Sequence, residues 1–198
     1  MSAARRTLGD EHPDTLATTN SLAILLMNQG KLGEAELLYR VALSAQRRTL
    51  GGEHPDTLAS INNLANLLSD QGKLGEAEPL YREALSARRR TLGGEHPDTL
   101  RSIFNLANLL QIQGKLGEAE PLSREAMSTR RRTLGEEHPD TLNSIVDFAR
   151  LSWMLGKRAE ALVLFREELE ASRRVLGEAH PNTQKALRKY EDLLAKRV

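Results

Sequence analysis

His12, His54, His96, His138 and His180 stand 42 residues apart, and a proline follows each of them. A period of this kind restricts the fold more than any local propensity does. A unit so short cannot bury a core alone and has to stack on its neighbours. Residues 51–92 and 93–134 align without a gap and differ at seven positions. The shared unit reads GGEHPDTLxSIxNLANLLxxQGKLGEAEPLxREAxSxRRRTL. A close copy occupies 9–50, a more diverged one 135–176, and a partial fifth 177–198. The opening SAARRTL matches SAQRRTL at 44–50, so residues 1–8 are expected to be the end of a truncated preceding repeat. The expectation is one continuous domain of four repeats closed by a C-terminal cap helix.

Each unit carries two helix patterns. In the second copy, Leu58, Ile61, Leu64, Ala65 and Leu68 recur at spacings of three and four, which is one apolar stripe of a helix from Pro55 to about Gln71. Pro55 suits the first helical position, and Asp56 meets the positive end of the helix dipole. Gly72 is a natural left-handed cap. A second helix starts near Gly75 and buries Ala77, Leu80, Tyr81, Ala84 and Leu85. Pro79 is expected to be tolerated because it lies early in that helix. The helix ends in Arg88, Arg89 and Arg90, which complement its negative end, before Gly93 stops it. Only seven residues are aromatic, against the composition of a strand-rich chain. The fold class is therefore all-α, a solenoid of antiparallel helix pairs. The last segment, 182–197, is crowded with Lys185, Arg188, Lys189, Asp192 and Lys196, as a solvent-facing cap should be.

Leu64-Ala65, Leu68, Gly72, Leu74, Ala77, Tyr81 and Ala84, with their equivalents in neighbouring copies, resemble the tetratricopeptide repeat, in particular the 42-residue variant of kinesin light chains. The resemblance implies a right-handed superhelix whose inner wall is made by the first helix of each pair. It also implies a peptide bound in that groove, acidic and with an aromatic residue as anchor.

The residues themselves exclude much else. There is no cysteine, so disulfides, thiolate metal sites and cysteine nucleophiles do not arise. Lys plus Arg number 28 and Asp plus Glu 27, a near balance that argues against nucleic acid or an anionic membrane as partner. The arginine rows at 47–48, 88–90, 130–132 and 173–174 are read as helix-end cations paired with glutamates on adjacent turns. The histidines are separated by whole repeats and lack a second imidazole nearby, so each is expected to make local contacts at a helix start and no metal or cofactor is implied. His-Pro-Asp also occurs in J-domain cochaperones, but there once, whereas here it opens helix after helix. No phosphate loop or nucleophile elbow is present, so an enzyme is not expected. The first residues hold no apolar stretch of signal-peptide length and no apolar run is long enough to cross a bilayer, so the expected location is cytoplasmic.

Four of the seven differences between copies two and three, Ala59/Arg101, Asn62/Phe104, Ser69/Gln111 and Asp70/Ile112, fall on the stripe of the first helix opposite its apolar face. That stripe is the candidate binding wall. Its residues are Asn20, Asn62, Asn63, Asn66, Arg101, Phe104, Asn105, Asn108, Gln111, Asn143, Arg150 and Trp153. Asparagine amides carry both donors and acceptors and can bond a peptide backbone whatever its sequence. Arg101 and Arg150 suit acidic side chains, and Phe104, Ile112, Trp153 and Met154 suit an apolar anchor. Asn63 and Asn105 serve equally well as bonds to a neighbouring helix, and Trp153 as core filling. A second expectation is end-to-end self-association through Leu16, Leu22, Leu25 and Leu26 of the first helix.

Overall fold

A computed structural model describes Gly9 and residues 11–195. Every regular element among them is a helix: α1 (Pro13–Asn28), α2 (Leu32–Thr49), α3 (Pro55–Asp70), α4 (Leu74–Leu92), α5 (Pro97–Ile112), α6 (Leu116–Leu134), α7 (Pro139–Met154), α8 (Arg158–Leu176) and α9 (Pro181–Ala195). The expected truncated repeat at 1–8 and Lys196 lie outside the described residues. The chain forms two compact units, one ending at Ser102 and one beginning at Ile103, so the division falls within α5. In the first unit α1 packs on α2, α2 on α3 and α3 on α4. In the second, α6 packs on α7, α7 on α8 and α8 on α9.

The punctuation is local and chemical. Each repeat histidine lies just before its helix, and its Nδ1 accepts the N–H two residues on, from Asp14, Asp56, Asp98, Asp140 and Asn182 in turn. This satisfies one of the four donors a helix start leaves open. The proline between them has no N–H to satisfy. Between the helices of a pair the chain reverses at Gly30, Gly72, Gly114 and Gly156, with φ of +75 to +77°. A side chain at these positions would be strained. Pro79 differs from expectation: α4 begins at Leu74, so the proline is its sixth residue, beyond the first turn. The helix continues through it although the proline has no N–H to give the Gly75 carbonyl.

The stripe read from the second repeat is the core. Leu58, Ile61, Leu64, Ala65 and Leu68 are all within 2% of full burial. From α4, Ala77, Tyr81, Ala84 and Leu85 join them, while Leu80 is only half-buried. In the second unit Met127, Ile145, Phe148, Ala149, Ala161, Leu164 and Phe165 form one cluster. Tyr190 and Leu193 of α9 pack against it, so the charged last helix keeps an apolar inner face.

Of the helix-end arginines, Arg47 and Arg131 find partners in the neighbouring repeat, not on adjacent turns as expected, while mid-helix Arg40 and Arg124 also pair one turn back with Glu36 and Glu120. Arg47 reaches Glu83 at 2.7 Å, and Arg40 reaches Glu76 at 2.9 Å. In the second unit the same register joins Arg131 to Glu167 and Arg124 to Glu160. Arg48–Glu11, Arg90–Glu53 and Arg174–Glu137 instead pair within one repeat, each joining the end of its second helix to the segment before its first.

Candidate functional site

In the second unit a cleft is lined by Phe104, Ala107, Asn108 and Gln111 of α5 and by Ser144, Asp147 and Arg150 of α7. Ser123 and Ala126 of α6 complete the lining. Phe104 remains 39% exposed. Asn108 and Arg150 are exposed and Gln111 is half-buried. Arg150 lies 3.5 Å from the Asp147 carboxylate. Burial raises the Asp147 carboxyl, and the Arg150 charge works against that. The cleft therefore offers an exposed guanidinium, amide donors and acceptors, and a partly open phenyl ring.

Asp147 was not among the residues singled out by sequence. It occupies the repeat position of Asn63 and Asn105, so carrying that register into the fourth copy would have found it. Asn143 is exposed on the same helix, and Asn105 is half-buried. Trp153 is half-buried and packs against the cluster around Phe148 and Phe165, with the Arg158 guanidinium 5.3 Å from its ring centre. Of the two uses considered for it, packing is the one on view.

In the first unit the asparagines are drawn into the fold to different degrees. Asn20 donates to the Ser60 hydroxyl at 2.6 Å, linking α1 to α3. Asn62 is 6% exposed, so it is not open on a wall as the helix-face arithmetic placed it. Asn66 accepts a hydrogen bond from the Tyr81 hydroxyl, which ties α3 to α4. Burial, with the Asp70 charge adding to it, raises the Tyr81 phenol and keeps it a donor. Asn63 is half-buried. Arg101 is exposed and pairs with Asp98 one turn back, at 2.8 Å.

Stacked helix pairs with a polar, partly open face on the first helix define a helical-repeat scaffold of the kind used for protein interaction. The signature of the tetratricopeptide repeat matches residues 16–90, 56–127 and 101–174, and the chain belongs to that family. Among solved structures it is similar to a Podosopora anserina kinesin-light-chain candidate with nearly identical TPR-like repeats, at 32% identity and a TM-score of 0.79 over 87% of this chain and 82% of that one. A form of the same protein carrying a point substitution matches at 32% identity and a TM-score of 0.81, over 88% and 82% of the two chains. BtubC (BKLC) from P. vanneervenii shares the fold, at 23% identity and a TM-score of 0.79 over 97% of this chain and 78% of that one. No curated protein sequence matches the chain significantly. No helix among the described residues is long and apolar enough to cross a membrane.

Proposed function

We propose that this chain is a non-enzymatic, cytoplasmic scaffold that holds a linear segment of a partner protein. The observation that carries the reading is the cleft between α5 and α7, where amide groups, an exposed guanidinium and a phenyl ring converge around small residues. An extended peptide there bonds its backbone to Asn108 and Gln111. It sets an acidic side chain against Arg150 and rests an aromatic side chain against Phe104. Asn143 lies on the same helix as Arg150 and extends the polar surface. In the first unit Arg101 offers a second acid-seeking cation, at the cost of its Asp98 pair. Asn20, Asn62 and Asn66 support the wall chiefly by positioning helices.

Random peptide display on the wild-type chain and on an Asn108→Ala, Arg150→Glu double variant tests this. An acidic, aromatic-containing motif enriched on the wild type alone is the expected result. The same motif on both proteins would move the site elsewhere.

One observation favours end-to-end assembly as a second reading. Leu25 is 52% exposed, whereas its repeat equivalents Leu67, Leu109 and Leu151 are at 1% or below. Leu22 and Leu26 are half-buried beside it, while Leu16 is buried within the first pair. A concentration-independent monomer by light scattering would remove this reading.

A further inference from the structure

The second and first repeats treat one position in opposite ways. Arg88 is 3% exposed, a buried cation near the end of α4. Its Nη1 donates to the Ser102 hydroxyl at 2.6 Å and reaches the Asp98 carbonyl at 3.4 Å. A second cation, Arg101, covers the Asp98 carboxylate from outside. Arg130 repeats the first of these arrangements, with Ser144 at 2.6 Å and the Asp140 carbonyl at 3.5 Å. One repeat earlier both cations are missing: Gln46 stands where Arg88 does, and Ala59 where Arg101 does.

What remains there is a hollow of ≈ 260 Å³, lined by Leu16, Asn20, Gln46, Asp56, Ala59 and Asn63 among others. Gln46 is 3% exposed, and its Oε1 has no hydrogen-bond partner among the described residues. The Asn20 Oδ1 is likewise buried and unpartnered there, while the N–H of the same amide donates to Ser60. The Asp56 carboxylate has His54 at 3.7 Å and is paired with no arginine or lysine among the described residues. Unpartnered buried carbonyl oxygens are costly, and native structures leave few of them. Here the side chains that carry two such oxygens, together with Asp56, line the place that an arginine fills in the next two repeats.

We propose that this hollow is a receptor for an arginine side chain of the bound partner, which completes between α1, α2 and α3 the arrangement that Arg88 makes within the chain. The guanidinium carries five N–H donors in a planar fork and no acceptor, which suits the two unpartnered amide oxygens and the carboxylate of the lining side chains. A lysine ammonium is compact and strongly hydrated, and meets spread-out oxygens less well. Pro13, Leu16 and Leu50 in the same lining give the side chain's methylene stem an apolar wall. The source of the arginine rests on the peptide-scaffold reading above; the chemistry of the hollow does not, and the two are tested separately.

The first arm uses N-acetyl-arginine amide, with its citrulline and lysine counterparts, titrated into the isotopically labelled full chain. The arginine compound is expected to produce saturable shifts of the Asn20, Gln46 and Asn63 side-chain amides, with roughly millimolar affinity for so small a ligand. Citrulline, which keeps the shape and loses the charge, should bind at least about tenfold more weakly. Gln46→Arg and Ala59→Arg each fill the hollow from within and should abolish the shifts. Ala59→Arg places its side chain at a half-buried helix surface, so it preserves a folded variant if Gln46→Arg perturbs packing. No saturable shift, equal binding of citrulline, or shifts that persist in both variants would overturn the receptor. The second arm repeats peptide display on the wild type and Ala59→Arg. An arginine at a fixed place in the selected peptides, lost on Ala59→Arg, is expected. An arginine selected equally on both proteins, or none on either, would overturn its assignment to a partner, while acidic peptides held at Arg150 should be unaffected by this variant.

Discussion

At the scale of the residue, the chain uses side chains to settle backbone and charge locally. The histidines show it: their placement just before each helix follows from His-Pro-Asp, and the N–H they accept is the one a helix start leaves open. Glu36 shows what the sequence leaves hidden. Its carboxylate accepts from Lys73 and Arg40, at 2.7 and 2.8 Å. The Lys73 ammonium, ahead of the Arg40 and Gln71 hydrogen bonds and against the effect of burial, holds the Glu36 carboxyl down to about 2 from an ordinary 4.5. The folded state thus binds this proton less readily than the unfolded chain does. The stabilisation is complete above the ordinary value and is lost as pH falls from 4.5 towards 2. Thermal midpoints of wild type and Glu36→Gln should accordingly differ by a constant amount near neutrality and converge across that acid window. A gap unchanged down to the acid end would contradict the assignment. Arg88→Gln provides a second test, because it gives the second repeat the residue that the first carries at this position. Loss of the Ser102 bond and an opened hollow should cost about 1–3 kcal/mol by denaturant unfolding. Neither residue could be singled out from sequence, since Glu36 and Arg88 look like their many exposed neighbours until the adjacent repeat is in place.

At the scale of the element, the small residues set how closely helices approach. Ala65 is fully buried, as are Ala77 and Ala84. Ala65→Leu should destabilise by about 1–3 kcal/mol, because added methylenes have no room between packed helices. An unchanged unfolding midpoint would show that Ala65 faces slack space. The rows of ion pairs are a different matter. Arg47 and Glu83 are each more than 40% exposed, so a double-mutant cycle on them should give a coupling of about 0–1 kcal/mol that shrinks with added salt. The helices, their apolar stripes and their glycine turns were legible because a 3.6-residue period and a left-handed glycine act within a few residues. Their partners were not: Arg47 was read against its own helix, and its glutamate comes from 36 residues away. Asn62 misled for a similar reason, since helix-face arithmetic gives a direction and not the burial that the fold imposes there.

At the scale of the whole molecule, each unit is held by successive layers and not by a single central core. The second unit closes with α9, whose Tyr190 and Leu193 cover the Phe148–Phe165 cluster. Lys189 adds its ammonium 4.2 Å from the centre of the Phe165 ring. Truncation before Pro181 should expose that cluster, lower the thermal midpoint and promote concentration-dependent association, which light scattering would reveal. A truncated chain as stable and monomeric as the parent would deny α9 its role as a cap. The 42-residue period and its apolar stripes by themselves determined the fold class, because repetition forces each unit to bury its stripe on the next one, while the small and apolar residues within each unit carried the resemblance to the family. The tertiary structure alone decided which polar groups face one another: the cleft around Asp147 and Arg150, the tie from Asn66 to Tyr81, and the hollow left by Gln46 and Ala59. Those depend on distances between side chains of different helices, and a linear pattern encodes which face a residue occupies but not what stands across from it.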